Sequence, residues 1–268
     1  MIMEPEPASG GNPVVLLHGW PGLPSDYRAV TPLLSGARVL VPTLAGLGTG
    51  YTGPIDAEDA TADSYAGRLL SELDAEGVTS GVTIVGYDIG SRIAQSALRA
   101  DPDRFIGAVL TPGYPGIGER AGAAEYAERF WYQHFHRTPL AAELIDGNEN
   151  NVASYLDWVW KQWSGPDAPQ RHPHRDDLIA AYSRPGAFHA SIQWYTANRG
   201  YSGALPPIHT PTTILWPDAD PLFPPAWADR IPEFFSAART DFVAGCGHFL
   251  PVENPAALAH AILHHTTA

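Results

Sequence analysis

The sequence has a single cysteine, Cys246, among 268 residues. An internal disulfide is therefore impossible, and a cysteine-rich zinc site is excluded. Basic residues are scarce as well: 16 Lys and Arg stand against 29 Asp and Glu, a formal charge of −13. That balance repels a phosphate backbone and leaves no basic stripe to follow one, so no nucleic-acid partner is expected. No apolar run reaches bilayer-spanning length, and no membrane partner is expected. Met1–Gly10 is acidic and proline-containing, with neither the basic start nor the apolar stretch of a signal peptide, so a cytoplasmic location is the expectation.

What the chain does hold is apolar surface. Hydrophobic residues make up 44% and charged residues 17%, the balance of a folded globular chain. One α/β core with an inserted lid fits this length. Short apolar runs at Val14–His18, Arg38–Pro42, Val82–Tyr87, Phe105–Thr111, Thr212–Trp216 and Thr240–Ala244 predict strands, each ended or followed by Gly, Pro or Asp. Helical patterns cover Ser25–Leu34, Ala62–Glu76, Ile89–Arg99 and Pro255–His265. Strands alternating with helices imply right-handed crossovers and a mostly parallel sheet flanked by helices, whose function collects at the carboxyl ends of the strands. Between Gly113 and about Pro207, short helical patterns dense in Trp, Tyr and His replace the strands. Residues 113–205 therefore read as an inserted all-helical cap, and residues 1–112 and 206–268 as the α/β core.

Four short segments carry chemistry. Gly86-Tyr87-Asp88-Ile89-Gly90-Ser91 places an acid between small residues where a strand turns into a helix. A nucleophile elbow needs that arrangement, because its sharp turn tolerates only small neighbours and lifts one side chain above the sheet. The competing reading is that Asp88 caps the helix, since Asp is a favoured N-cap. Gly245-Cys246-Gly247-His248 follows the last strand, where His248 can reach the elbow from a neighbouring strand end. Trp216-Pro217-Asp218-Ala219-Asp220-Pro221 follows the strand before it, and a carboxylate there can fix the imidazole tautomer. Asp218 and Asp220 compete for this role, and Asp220 is the favoured one. His18-Gly19-Trp20-Pro21 ends the first strand, where the backbone N–H of Trp20, with that of Ile89, suits an oxyanion. The imide nitrogen of Pro21 makes a cis Trp20–Pro21 bond accessible. The chain order of nucleophile, acid and histidine is that of α/β-hydrolases.

With HGWP at His18–Pro21, GYDIGS at Gly86–Ser91 and GHFLPVENP at Gly247–Pro255 in this order, the sequence resembles the epoxide hydrolase branch of the α/β-hydrolase fold family over nearly its whole length. The resemblance implies Asp88 as nucleophile, His248 as base and Asp220 as its acid partner. It also implies two cap tyrosines that hydrogen-bond the epoxide oxygen. Trp131-Tyr132-Gln133-His134-Phe135-His136 and Gln193-Trp194-Tyr195 are similar to the family's tyrosine segments, which carries the role to Tyr132 and Tyr195. Trp20, Pro21, Trp131, Gln133, Trp194 and Phe249 are expected in the substrate wall. The cap residues Trp131, Trp158, Trp160, Trp163 and Trp194 suggest an apolar pocket. Pro42–Gly48 departs from relatives, which commonly carry an acidic residue and an arginine there.

An aspartate at an elbow suits displacement at saturated carbon, since attack on an acyl group would give an anhydride that reverts readily. Epoxides and alkyl halides are the substrates this allows. Haloalkane dehalogenases typically carry tryptophan after the nucleophile and asparagine in the HGxP-like loop, where this chain has Ile89 and Trp20. Fluoroacetate dehalogenases carry arginines one and four residues beyond the nucleophile, and this chain has Ile89 and Arg92. A non-catalytic binder on the same fold is a third reading. The expected partners are a small apolar epoxide and water, with a homodimer left open. No metal or cofactor is implied; His172 and His174, flanked by Arg171 and Arg175, read as exposed loop.

Overall fold

The computed structural model describes residues 11–199 and 203–266, so the acidic stretch Met1–Gly10 and cap residues 200–202 lie outside the described part. Six strands form one parallel sheet in the order β2-β1-β3-β4-β5-β6. They are β1 (Pro13–Leu17), β2 (Arg38–Leu40), β3 (Val82–Gly86), β4 (Phe105–Leu110), β5 (Thr212–Pro217) and β6 (Ala238–Val243). The inner strands β1, β3 and β5 are buried almost without interruption, as a sheet covered on both faces requires. Helices α1 (Ala62–Ala75), α2 (Ile89–Ala100) and α11 (Pro255–Thr266) provide cover. In α1 the inward positions Tyr65, Leu69 and Leu73 recur at helical spacing, and Thr61 caps its start by accepting from the Ser64 amide.

Chain order and spatial order diverge beside β1. The chain leaves β1 for the edge strand β2 and then crosses back to β3 on the other side. This reversal opens a crevice at the carboxyl ends of β1 and β3. Their register pairs Leu17 with Gly86, so the His18–Pro21 loop and the Asp88 turn leave the sheet side by side. At the other end, β5 and β6 pair out to Pro217 and Val243, which brings the loops of Asp220 and His248 together in the same way.

Between β4 and β5 the described chain is helical: α3 (Pro115–Ala121), α4 (Trp131–His136), α5 (Pro139–Ile145), α6 (Glu149–Trp163), α7 (Arg175–Tyr182) and α8 (Ala187–Ala197). Short helices α9 (Ile231–Phe234) and α10 (Leu250–Glu253) complete the chain. Two local expectations are corrected. The helix anticipated over Ser25–Leu34 is instead two single 3-10 turns, Pro24–Tyr27 and Thr31–Leu33. Pro32 removes a backbone donor in mid-segment and crowds the preceding turn. The last strand begins at Ala238, two residues earlier than its apolar pattern suggested, because this edge strand is largely exposed and has little pattern to show. No helix is long and apolar enough to cross a membrane among the described residues.

Candidate active site

Asp88 stands between β3 and α2 with φ 52° and ψ −124°, the one non-glycine residue at positive φ among those described. Such a conformation costs roughly 1–3 kcal/mol and persists only where surrounding contacts over-determine it. Here they do. The Asp88 amide donates to Thr111 Oγ1 at 3.1 Å. Gly90 lies so close to the carbonyls of Leu17 and His18 that a β-carbon would collide with backbone, and a β-carbon on Gly19 would come within 2.7 Å of Asp88 Cβ. The Asp88 side chain makes no capping hydrogen bond to its helix, which answers the helix-cap alternative.

The carboxylate instead has two partners. Its Oδ1 accepts from the Trp20 amide at 2.7 Å. Its Oδ2 lies 3.2 Å from His248 Nε2. On the other side of the ring, His248 Nδ1 is 2.8 Å from Asp220 Oδ2, while Asp220 Oδ1 accepts from the Leu222 amide at 2.8 Å. Asp218 is outside this chain of contacts: it is exposed and accepts from the Gly245 amide at 2.7 Å. Ile89 opens α2, so its N–H belongs to the first turn, where amides have no intrahelical acceptor. The Trp20–Pro21 bond is cis.

Charge sets the protonation. Burial works against an imidazolium at His248, but the carboxylates of Asp220 and Asp88 outweigh it and raise the pKa to about 10. The resting site is thus an aspartate facing a protonated histidine. His18, fully buried beneath the loop, is driven the other way, to about 4, chiefly by burial, and is neutral.

Above Asp88 lies a cavity of about 190 Å³. Tyr132 from α4 and Tyr195 from α8 both line it, their rings perpendicular with centroids 5.7 Å apart. Burial, reinforced by the Asp88 charge, holds both phenols far above their usual pKa, so they are neutral donors at any physiological pH. Ile89, Gln133 and Trp194 are in the same wall.

Other residues expected in the wall are not there. Trp131 is 39% exposed and packs edge-on against Trp158, because consecutive helical residues project about 100° apart and Tyr132 takes the inward direction. The indole of Trp20 is fully buried, donating to Ser191 Oγ at 3.1 Å, so Trp20 offers its amide and not its ring. Phe249 packs behind His248 and, with Pro21, faces a separate small cleft. Trp160 and Trp163 are core, and of the five cap tryptophans only Trp194 reaches the cavity. The pocket is also less apolar than expected, since Arg92, Arg137 and Arg199 line it together with Phe130, Tyr114, Ile117 and Phe223.

The sequence reading missed the support of the histidine loop. Glu253 accepts from the amides of Gly165 and Gly247 at 2.8 Å and Phe249 at 2.9 Å, so one carboxylate ties α10, the end of α6 and the loop on both sides of His248. The His248 amide itself donates to the Trp163 carbonyl at 2.8 Å. The only sequence signal for Glu253 is its place inside GHFLPVENP.

The alpha/beta hydrolase family pattern matches residues 14–261, and the chain belongs to that family. It is 28% identical over 242 residues to a pimeloyl-[acyl-carrier protein] methyl ester esterase of Aromatoleum aromaticum, covering 88% of this chain and 90% of the relative. It is 25% identical over 266 residues to a soluble epoxide hydrolase of Corynebacterium sp. strain C12, covering 92% and 87%. Among solved structures, an epoxide hydrolase from a hot-environment metagenome superimposes with a TM-score of 0.81 at 23% identity, covering 98% of this chain and 93% of that one, a likeness of fold.

Two outcomes follow. Glu253→Ala strands three backbone donors and is expected to lower stability by about 2–3 kcal/mol, read by urea denaturation; an unchanged midpoint would show that the loop does not depend on this carboxylate. In Asp88→Ala one of the two charges that raise the His248 pKa is gone, so the imidazole should deprotonate at a clearly lower pH than about 10. An NMR titration of its Cε1–H, assigned against His248→Gln, checks this, and an unshifted curve would contradict the pairing.

Proposed function

We propose that the chain is an epoxide hydrolase whose nucleophile is Asp88, with residues 113–205 as the lid that carries its proton donors. The observation that carries this reading is a carboxylate at the elbow, 3.2 Å from an imidazole, facing a cavity lined by two neutral phenols. A carboxylate is poorly suited to ester cleavage by direct acyl attack, since the anhydride reverts readily. That argues against the activity named for the Aromatoleum relative and for the one named for the Corynebacterium relative.

Asp88 Oδ2 attacks an epoxide carbon, the C–O bond breaks, and Tyr132 or Tyr195 gives its proton to the departing alkoxide. The ester has no charge, so His248 loses one of the carboxylates that kept it protonated and releases its proton to restore the phenol. Now neutral and oriented by Asp220, it takes a proton from water, and hydroxide adds to the Asp88 carbonyl carbon. Charge develops on Oδ1, which already accepts from the Trp20 amide, with Ile89 as the second donor. Collapse releases the diol, and the new carboxyl proton passes to its oxygen, regenerating Asp88 carboxylate and His248 imidazolium.

Dehalogenation uses the same aspartate and histidine, and Arg92 in the wall is the one feature that favours it. A halide leaves without a proton, however, so two phenols over the nucleophile could only hydrogen-bond it, whereas an alkoxide needs the proton they carry. A non-catalytic binder has no need for the strained Asp88 backbone.

His248→Gln should form the ester and fail to hydrolyse it, so the Asp88 peptide gains the mass of the epoxide; no adduct with any epoxide, alongside halide release from a haloalkane, would reverse the assignment. Tyr132→Phe and Tyr195→Phe should each lower kcat by about 100-fold, the lower end of a general-acid contribution because the other phenol remains, and the double variant should lose turnover. Steady-state rates of diol formation decide this, and full activity in the double variant would remove the phenols from the mechanism.

A further inference from the structure

The wall of the Asp88 cavity is divided by charge. Among the described residues Asp88 is the only acidic one in it, whereas Arg92, Arg137 and Arg199 all line it. Three of the chain's 16 Lys and Arg residues therefore gather at one cavity in a protein of net charge −13. Arg137 and Arg199, with His134 and Thr138, also line an open recess adjoining the cavity, so they stand at its outer side. Arg92 lies over the Trp194 ring at 5.2 Å.

Arginines elsewhere in the chain hold counter-ions or backbone carbonyls; Arg99 and Arg184, for example, donate to carbonyls. Arg104, Arg120, Arg175 and Arg230 each hold one or two carboxylates at 2.5–3.3 Å. Among the described residues no carboxylate lies within ion-pairing distance of Arg137 or Arg199; Arg137 donates from Nη2 to His134 Nδ1 at 2.7 Å. Burial, and after it the Arg199 charge, pull the Arg137 pKa below its ordinary value. An anion seated between them would relieve that repulsion and gain charge-assisted hydrogen bonds. The planar guanidinium fork fits a carboxylate in particular.

We propose that Arg137 and Arg199 form a carboxylate subsite, and that the substrate is an epoxide bearing a carboxylate on a chain that spans the cavity from Asp88 to its outer wall. This rests on the epoxide hydrolase reading for the reacting end alone. Separation of the two ends is required physically: a carboxylate next to Asp88 would repel the attacking oxygen, and the arginines hold it at the far side. The subsite also replaces the small apolar epoxide expected from the aromatic content of the cap with an amphiphilic one, apolar along Phe130, Ile117 and Trp194 and charged at its end.

Two arms test this. In the first, a series of terminal epoxyalkanoates of increasing length is compared with the matching primary amides. At the length that spans the cavity, kcat/KM should favour the acid by about tenfold or more at low ionic strength, with the preference shrinking as salt is raised. In Arg137→Gln/Arg199→Gln the acid-to-amide ratio should fall towards one, and Arg199→Gln alone, at an exposed position, keeps the comparison available if the double variant fails to fold. Equal kcat/KM for acid and amide at every length, or a preference that survives both substitutions, overturns the subsite. In the second arm, calorimetry of simple alkanoates with Asp88→Ala measures binding without chemistry. Saturable binding that weakens by about tenfold in the arginine variants supports the subsite, and absence of binding at every length overturns it. Alkanoate binding in a protein that opens no epoxide would leave the subsite standing and sink the epoxide reading instead.

Discussion

The contact between Asp88 and His248 is the one on which the rest of the site turns, because it places a negative charge and a positive charge in a space that is largely dry. Neither charge would be stable there alone. The His248 side chain is 2% exposed and that of Asp88 12%, so an unpaired imidazolium would lose its proton to desolvation. Two carboxylates on opposite ring nitrogens keep the proton in place. The same arrangement makes the imidazole responsive: what happens to the charge on residue 88 is felt directly as a change in the basicity of residue 248.

Holding that contact is largely a matter of backbone. The parallel register of β1 with β3 and of β5 with β6 delivers four loops to one rim of the sheet. Two of them are then fixed by polar groups that never face the cavity. Thr111 takes the Asp88 amide, and Glu253 takes three amides around His248, including one from the end of α6. Below the elbow, Tyr87 donates to Asp26 at 2.5 Å, and Asp26 in turn accepts from the Leu23 amide. Burial raises the Asp26 pKa to about 7, against the pull of these two hydrogen bonds. The turn that carries the nucleophile is thus fastened from its own strand, from the neighbouring strand and from underneath.

These two layers differ in how far they can be read from sequence. The elbow, the HGWP loop and the loops of Asp220 and His248 are legible because each joins an apolar run to a cluster of Gly, Pro and Asp, a local signal that survives without knowledge of the fold. The succession of strands along the chain follows from the same runs, but not their order in the sheet. The cavity wall is different: Trp131 and Tyr132 are adjacent aromatics in one short helix, and only the direction of that helix decides which one turns inward. Phe130 and Arg137 flank α4, Arg199 and Phe223 come from segments well beyond it, and no periodicity ties any of them to Asp88. Glu253 is invisible for a further reason, since what it binds is backbone, which carries no residue identity.

The nature of the nucleophile decides when the histidine can act as a base. Where a neutral hydroxyl stands at an elbow, the imidazole must be unprotonated at rest, because it has to remove the hydroxyl proton before the first bond forms. With a carboxylate at residue 88 nothing has to be removed, and the imidazole rests protonated. Under the proposed mechanism it becomes basic only after the carboxylate has been consumed as an ester, when water and not the substrate is the group to be activated. Water activation is thereby confined to the step that needs it, while the cavity and its neutral phenols serve the step before. The His248–Asp220 pair is geometrically similar in either case; it is the charge opposite Nε2 that sets the sequence of events.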